Sequence, residues 1–142
     1  MRIEESLVLP VTPEALWPWI STPARLAEWI GDVERFEARP AGELTVGSSL
    51  VAHLPRGTPI EATVESAEPS RTLVLLARGV PHDLEVRIEF RVEALEGGSR
   101  LTLGAQTRLS GLMVFAEKMI AGHARAKLAS WTTALRARVV AG

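Results

Sequence analysis

Leu84-Glu85-Val86-Arg87-Ile88-Glu89-Phe90-Arg91-Val92-Glu93 alternates without a break, apolar on one parity and charged on the other. Successive side chains of a β-strand point to opposite faces, so this stretch is a strand with one face on a core and one in water. Beyond it, Glu96-Gly97-Gly98-Ser99 is a tight turn in which glycine supplies the positive φ that other residues resist. Ser99 to Leu109 then returns as the next strand, and a turn this short makes the pair antiparallel.

Working back toward the N-terminus, Val33 to Arg39, Ser48 to Leu54, Pro59 to Ala67 and Thr72 to Arg78 are short, bounded by Gly, Pro or Ser, and alternating or apolar. With Asp83 to Ala94 and Ser99 to Leu109 they give six strands. Ile3, Leu7 and Leu9 share one parity and supply a seventh. Between that first strand and the rest, Thr12-Pro13-Glu14 is a helix start: Thr caps, Pro is pre-set for the first turn and Glu suits the helix dipole. Leu16, Trp17 and Ile20 share the buried face of this helix, and Pro18 keeps it short or bent. Thr22-Pro23 repeats the signal and predicts a second short helix carrying Leu26 and Trp29, ended by Gly31.

Gly111 to about Val140 holds neither proline nor alternation and is built from Ala, Leu, Met, Arg and Lys, which favour helix. Wound at 100° per residue, it places Leu112, Phe115, Met119, Ala126, Ser130 and Ala134 on one stripe, with Lys118, Arg125, Thr132 and Arg136 opposite. His123 falls on the apolar stripe. The expected architecture is α+β: a seven-stranded curved antiparallel sheet, two short helices after the first strand and a long C-terminal helix. At 142 residues the chain has room for one domain, residues 1–142.

Composition narrows the function. Forty-six percent hydrophobic and 23% charged residues describe a globular chain, with no run long enough to span a bilayer. Sixteen basic against 17 acidic side chains leave a net charge of -1, without the positive excess that draws nucleic acid or anionic lipid. There is no cysteine, hence no disulfide, thiolate metal site or cysteine nucleophile. Met1-Arg2-Ile3-Glu4-Glu5 enters the first strand without the pattern of a secretory signal, so a cytoplasmic location is expected. Lys118 and Lys127 are the only lysines, an Arg bias that fits a GC-rich bacterial genome.

The ordered set of local patterns resembles the START-related (SRPBCC) superfamily, in its polyketide cyclase/dehydrase and lipid-transport branch. Leu9-Pro10-Val11-Thr12-Pro13-Glu14-Ala15-Leu16-Trp17 is similar to that branch's strand-to-helix junction, and Thr22 to Trp29 to its second helix. Val46-Gly47-Ser48, Glu68-Pro69-Ser70-Arg71-Thr72-Leu73 and Gly97-Gly98-Ser99-Arg100-Leu101-Thr102 resemble its later turns. The resemblance implies a helix-grip fold with a cavity between sheet and long helix. It implies no reaction, since its members include lipid carriers, plant hormone receptors, aromatase/cyclases and chaperone cofactors.

Strand parity puts Leu50, Ala52, Leu54, Ala62, Val64, Val86, Ile88, Phe90, Leu103, Ala105 and Thr107 on the concave side, facing the helix stripe. An ordinary core explains any one of them. Collectively, small side chains at Ala52, Ala62, Ala77 and Ala105 leave volume under a curved sheet for an apolar ligand. His123, among Met119, Ala126 and Ser130, is either a core histidine or a ligand anchor and general acid/base, because histidine titrates near neutrality. His82 has the parity of Leu84 and belongs at a mouth or loop; His53 belongs outside. Trp17 plugs the core, Trp29 ends the second helix where a cavity would open, and Trp131 packs on a sheet edge or a partner chain, which leaves a homodimer open.

The candidate ligand-binding set is therefore Trp29, Leu54, Val64, His82, Val86, Ile88, Phe90, Ala105, Thr107, Phe115, Met119 and His123. The three histidines point in different directions and predict no metal site, Glu61 and Glu65 belong to the solvated face, and no phosphate-binding glycine motif or nucleophile elbow occurs. No cofactor is expected. The leading expectation is a binder or carrier of a hydrophobic, lipid-like or aromatic, small molecule. A cyclase or dehydratase using His123 with the Thr107 hydroxyl is the enzymatic alternative, and a protein-interaction or recruitment module is a third.

Overall fold

The computed structural model describes residues 1–80, 84–108 and 116–141. Seven strands form one antiparallel sheet: β1 Arg2–Leu9, β2 Arg35–Arg39, β3 Ser49–His53, β4 Ile60–Glu68, β5 Thr72–Val80, β6 Leu84–Leu95 and β7 Gly98–Thr107. Their spatial order is β1-β7-β6-β5-β4-β3-β2, so β1 and β2 are the two edges. The chain crosses from one edge to the other through three four-residue helices, α1 Pro13–Leu16, α2 Pro18–Ser21 and α3 Pro23–Leu26. The long helix α4 runs Glu117–Ala141 and packs against β1.

Three short helices stand where the sequence predicts two, because each begins on a proline. Pro13, Pro18 and Pro23 each occupy a first turn. Without an amide hydrogen, Pro18 cannot continue α1 and opens α2 in its place. Thr12 Oγ1 caps α1 by accepting from the Ala15 amide at 3.2 Å. These helices bury Leu16, Ile20 and Leu26 almost completely, as the turn after α3 does Trp29.

The turn at Glu96 to Ser99 uses its two glycines differently. Gly97 sits at φ 77°, in left-handed space. At Gly98 a Cβ would overlap the Leu9 carbonyl oxygen, so glycine is required there by the close approach of β1. Ser99 next to it donates its hydroxyl to the Val11 carbonyl at 2.6 Å, tying β7 to the chain leaving β1.

Register slips between Val64 and Ser66 in β4 and between Ala77 and Val80 in β5. Such bulges increase local twist and bend the strands that carry them. On the outer face, the charged parity of β6 pairs with its neighbours: Arg87 with Glu65 at 3.1 Å, Arg91 with Glu4 at 3.3 Å and Arg100 with Glu93 at 2.9 Å. Exposed pairs of this kind add little net stability. The fold is held from the inner face instead, where Leu9, Leu73, Leu101, Leu103 and Leu135 are buried to 1% exposure or less.

Helix α4 buries Ala121, Leu128, Thr132, Leu135 and Val139. That stripe corrects the phase read from the sequence. Met119 is 73% exposed, Ala126, Ser130 and His123 are also exposed, and Thr132 lies inside. Seven of the helix's residues are alanine, too small to mark a face, so the few large side chains decide the rotation. Arg136 donates to the Val8 carbonyl at 3.2 Å and Lys127 to Asp32 at 2.8 Å, fixing the helix over the sheet.

Candidate functional site

A cavity of about 680 Å³ lies between the sheet and the helices. That is within the size range of small-molecule sites, about 300–1,000 Å³. Strands β2 to β6 supply its floor through Phe36, Leu50, Ala52, Ile60, Ala62, Leu75, Ala77, Val86, Ile88 and Phe90, and Leu26, Ile30, Val33 and Trp131 close it from above. The floor is recessed for a register reason. Leu50 pairs with Ala62, Ala62 with Ala77 and Ala77 with Val86, so one row across four strands has two methyl side chains at its middle.

The end wall is stiffened from behind. Trp29 stands edge-on to Phe90, ring centres 6.1 Å apart at 87°, and donates Nε1–H to the Trp19 carbonyl at 2.9 Å. With its polar atom satisfied and 1% exposure, Trp29 supports Phe90 and does not itself line the cavity. Among the described residues charge occurs only where the lining reaches solvent: Asp32 on the α3–β2 loop, Arg56 on the β3–β4 loop and Lys127 on α4. Asp32 and Lys127 form an ion pair across the mouth at 2.8 Å.

Of the residues named from the sequence, Leu54, Val86, Ile88 and Phe90 line this cavity. Val64 is buried at 1% exposure but packs in the solid part of the core. Ala105 packs partly buried against the same core, on a strand beyond the cavity. Thr107 is spent on structure: its hydroxyl donates to the Glu85 carbonyl at 2.8 Å, beside a separate polar groove with Arg87, Gln106 and Arg108. His123 and Met119 point to solvent, for the reason of helix phase given above. His82 and Phe115, with Leu112, lie outside the described residues.

Sequence reasoning missed Trp131, Ile30, Phe36 and the three charged residues at the mouth. Trp131 was findable: it lies three residues after Leu128 and four before Leu135, so a stripe phased on the leucines turns it inward. The charged residues sit on loops or on the flank of the stripe, where no periodicity marks them. His53 lies on the outer side of β3 as expected, with Nε2 3.1 Å from Glu37 Oε1. A hydrogen bond from Arg39, then one from His53, holds the Glu37 carboxyl below its ordinary value. Glu65 is on the outer face, paired with Arg87. Among the described residues no three His, Asp or Glu side chains gather into a metal site, and no helix is long and apolar enough to cross a membrane.

The family model for polyketide cyclase/dehydrase and lipid transport matches residues 1–136. The chain belongs to that family. Among solved structures it is similar to protein MLL2253 from Mesorhizobium loti, with a TM-score of 0.79, 16% identity, and 96% of this chain and 94% of that one covered. Ara h 8.0201 superposes with a TM-score of 0.75 at 16% identity, over 100% of this chain and 99% of that one. The Aha1 dimer from Colwellia psychrerythraea gives 0.71 at 17% identity, over 98% and 96%. At such identities the likeness is one of fold: the curved sheet gripping a C-terminal helix. No curated protein matches the chain.

Proposed function

We propose that this family member binds and carries one hydrophobic small molecule in the cavity between β2–β6 and α4, without transforming it. The observation that carries this reading is the distribution of polarity. Among the described residues the lining is apolar to its full depth and charged only at the mouth. General acid–base catalysis needs a titratable group within hydrogen-bond reach of the reacting atoms. The two candidates for that work are elsewhere: His123 is exposed on the far side of α4, and the Thr107 hydroxyl is committed to a backbone carbonyl. An apolar cavity with such groups only at its mouth favours retention of a ligand by burial, at about 25 cal/mol per Å² of apolar surface removed from water.

Native mass spectrometry of the protein as purified from cells tests this directly. A retained small molecule, released on unfolding, is the expected result. Protein that is uniformly unliganded and also takes up no hydrophobic dye would overturn the reading.

A further inference from the structure

The mouth of the cavity says which end of a ligand faces out. Among the described residues its charged side chains are Arg56, Lys127 and Asp32, +1 for those three together, in a lining that is otherwise apolar. Lys127 is held by Asp32 at 2.8 Å. Among the described residues Arg56 enters no such pair, and it is exposed on its loop directly after Leu54 and Pro55, which also line the cavity. A wholly apolar ligand would leave that guanidinium without a role, and a cationic head would be repelled by the net charge.

The geometry points to an amphiphile with an apolar tail and a singly charged carboxylate head, the tail over Ala62 and Ala77 and the head on Arg56. The guanidinium offers parallel N–H donors that match a carboxylate in bidentate fashion. One negative charge offsets the +1 of the described mouth residues, whereas a phosphate monoester, carrying about −1.5 to −2 near neutral pH, would overshoot it. Asp32 sets this selectivity by withdrawing Lys127 from the ligand. The inference rests on the binding reading above and assigns the ligand class to that site.

Calorimetric titration of the full chain with dodecanoate and 1-dodecanol, which share a tail and differ in the head, separates the two ideas. Dodecanoate should bind up to about fivefold tighter, the upper end for an exposed charged contact. Arg56→Gln should abolish that preference, bringing dodecanoate affinity down to that of dodecanol. Asp32→Asn should enlarge it by freeing Lys127, and dodecyltrimethylammonium should bind more weakly than dodecanol. Equal affinities for dodecanoate and dodecanol, or an Arg56→Gln loss shared by both, overturns the carboxylate assignment and leaves the cavity standing. Tighter binding of dodecyl phosphate than of dodecanoate overturns the single-charge assignment. Failure of every tail to bind overturns the cavity reading itself.

Discussion

Strand β6 and helix α4 lie on opposite sides of the core, yet they carry very different amounts of pattern. In β6 charged residues alternate with apolar ones as far as Glu93, and burial follows that alternation from Val86 to Glu93 except at Glu89, half-buried like Ile88. In α4, alanine falls on both faces, Thr132 is buried and Met119 is exposed. The difference teaches that a strand's facing is dictated locally by contrast, whereas an alanine-rich helix takes its rotation from where its few large side chains fit. Leu128, Leu135 and Val139 fill the space above β1, and the rest of the helix follows.

The sharpest way to break that comparison is to truncate the residue said to set the helix phase. Leu135 is 0% exposed, so Leu135→Ala should cost about 2–5 kcal/mol in denaturant unfolding. Met119→Ala, at an exposed site, should stay within about 0.5 kcal/mol. Comparable losses at both positions would restore the stripe expected from sequence. Gly98→Ala should destabilise next most, by about 1–3 kcal/mol, through the clash with the Leu9 carbonyl. A melting temperature unchanged from wild type would remove the close approach from the account.

Filling the recess tests the sheet side. Ala62→Phe should lower affinity for a hydrophobic probe by more than about tenfold, equivalent to about 1.4 kcal/mol, because the ring occupies ligand volume. Retained affinity would place the ligand elsewhere. His123→Ala should change neither probe affinity nor its pH profile, and a shift in either would return His123 to the site. The smallest effect belongs to Glu37. Its carboxyl is held below the ordinary value of 4.5, so the stability it adds is complete above that pH and fades as pH falls through the lowered value. Glu37→Gln should remove that component at neutral pH, and the curves of the two proteins should converge as pH falls below the lowered value.

The fold was legible because its decisive signals are local. Alternation in β6, paired glycines at Gly97 and Gly98, and Thr-Pro starts at Thr12 and Thr22 each act within a few residues. Part of the cavity was legible for the same reason: parity alone turns Leu54, Val86, Ile88 and Phe90 inward. Val64, Ala105 and Thr107 share that parity, but the sheet's concave face is longer than the cavity. Where it stops depends on how α4 and Trp29 pack, a property of the assembled molecule. Asp32, Arg56 and Lys127 meet across gaps of more than twenty residues, so no spacing could announce them.

Methyl NMR during titration with 1-dodecanol tests the central claim most directly, since a neutral tail reads the cavity without its charged mouth. Ligand contacts and shift changes are expected at the Ala62, Ala77, Val86 and Ile88 methyls. Changes confined to the exposed Val46, Met119 and Val140 methyls would contradict it, placing the tail on the surface and leaving the space between sheet and helix unused.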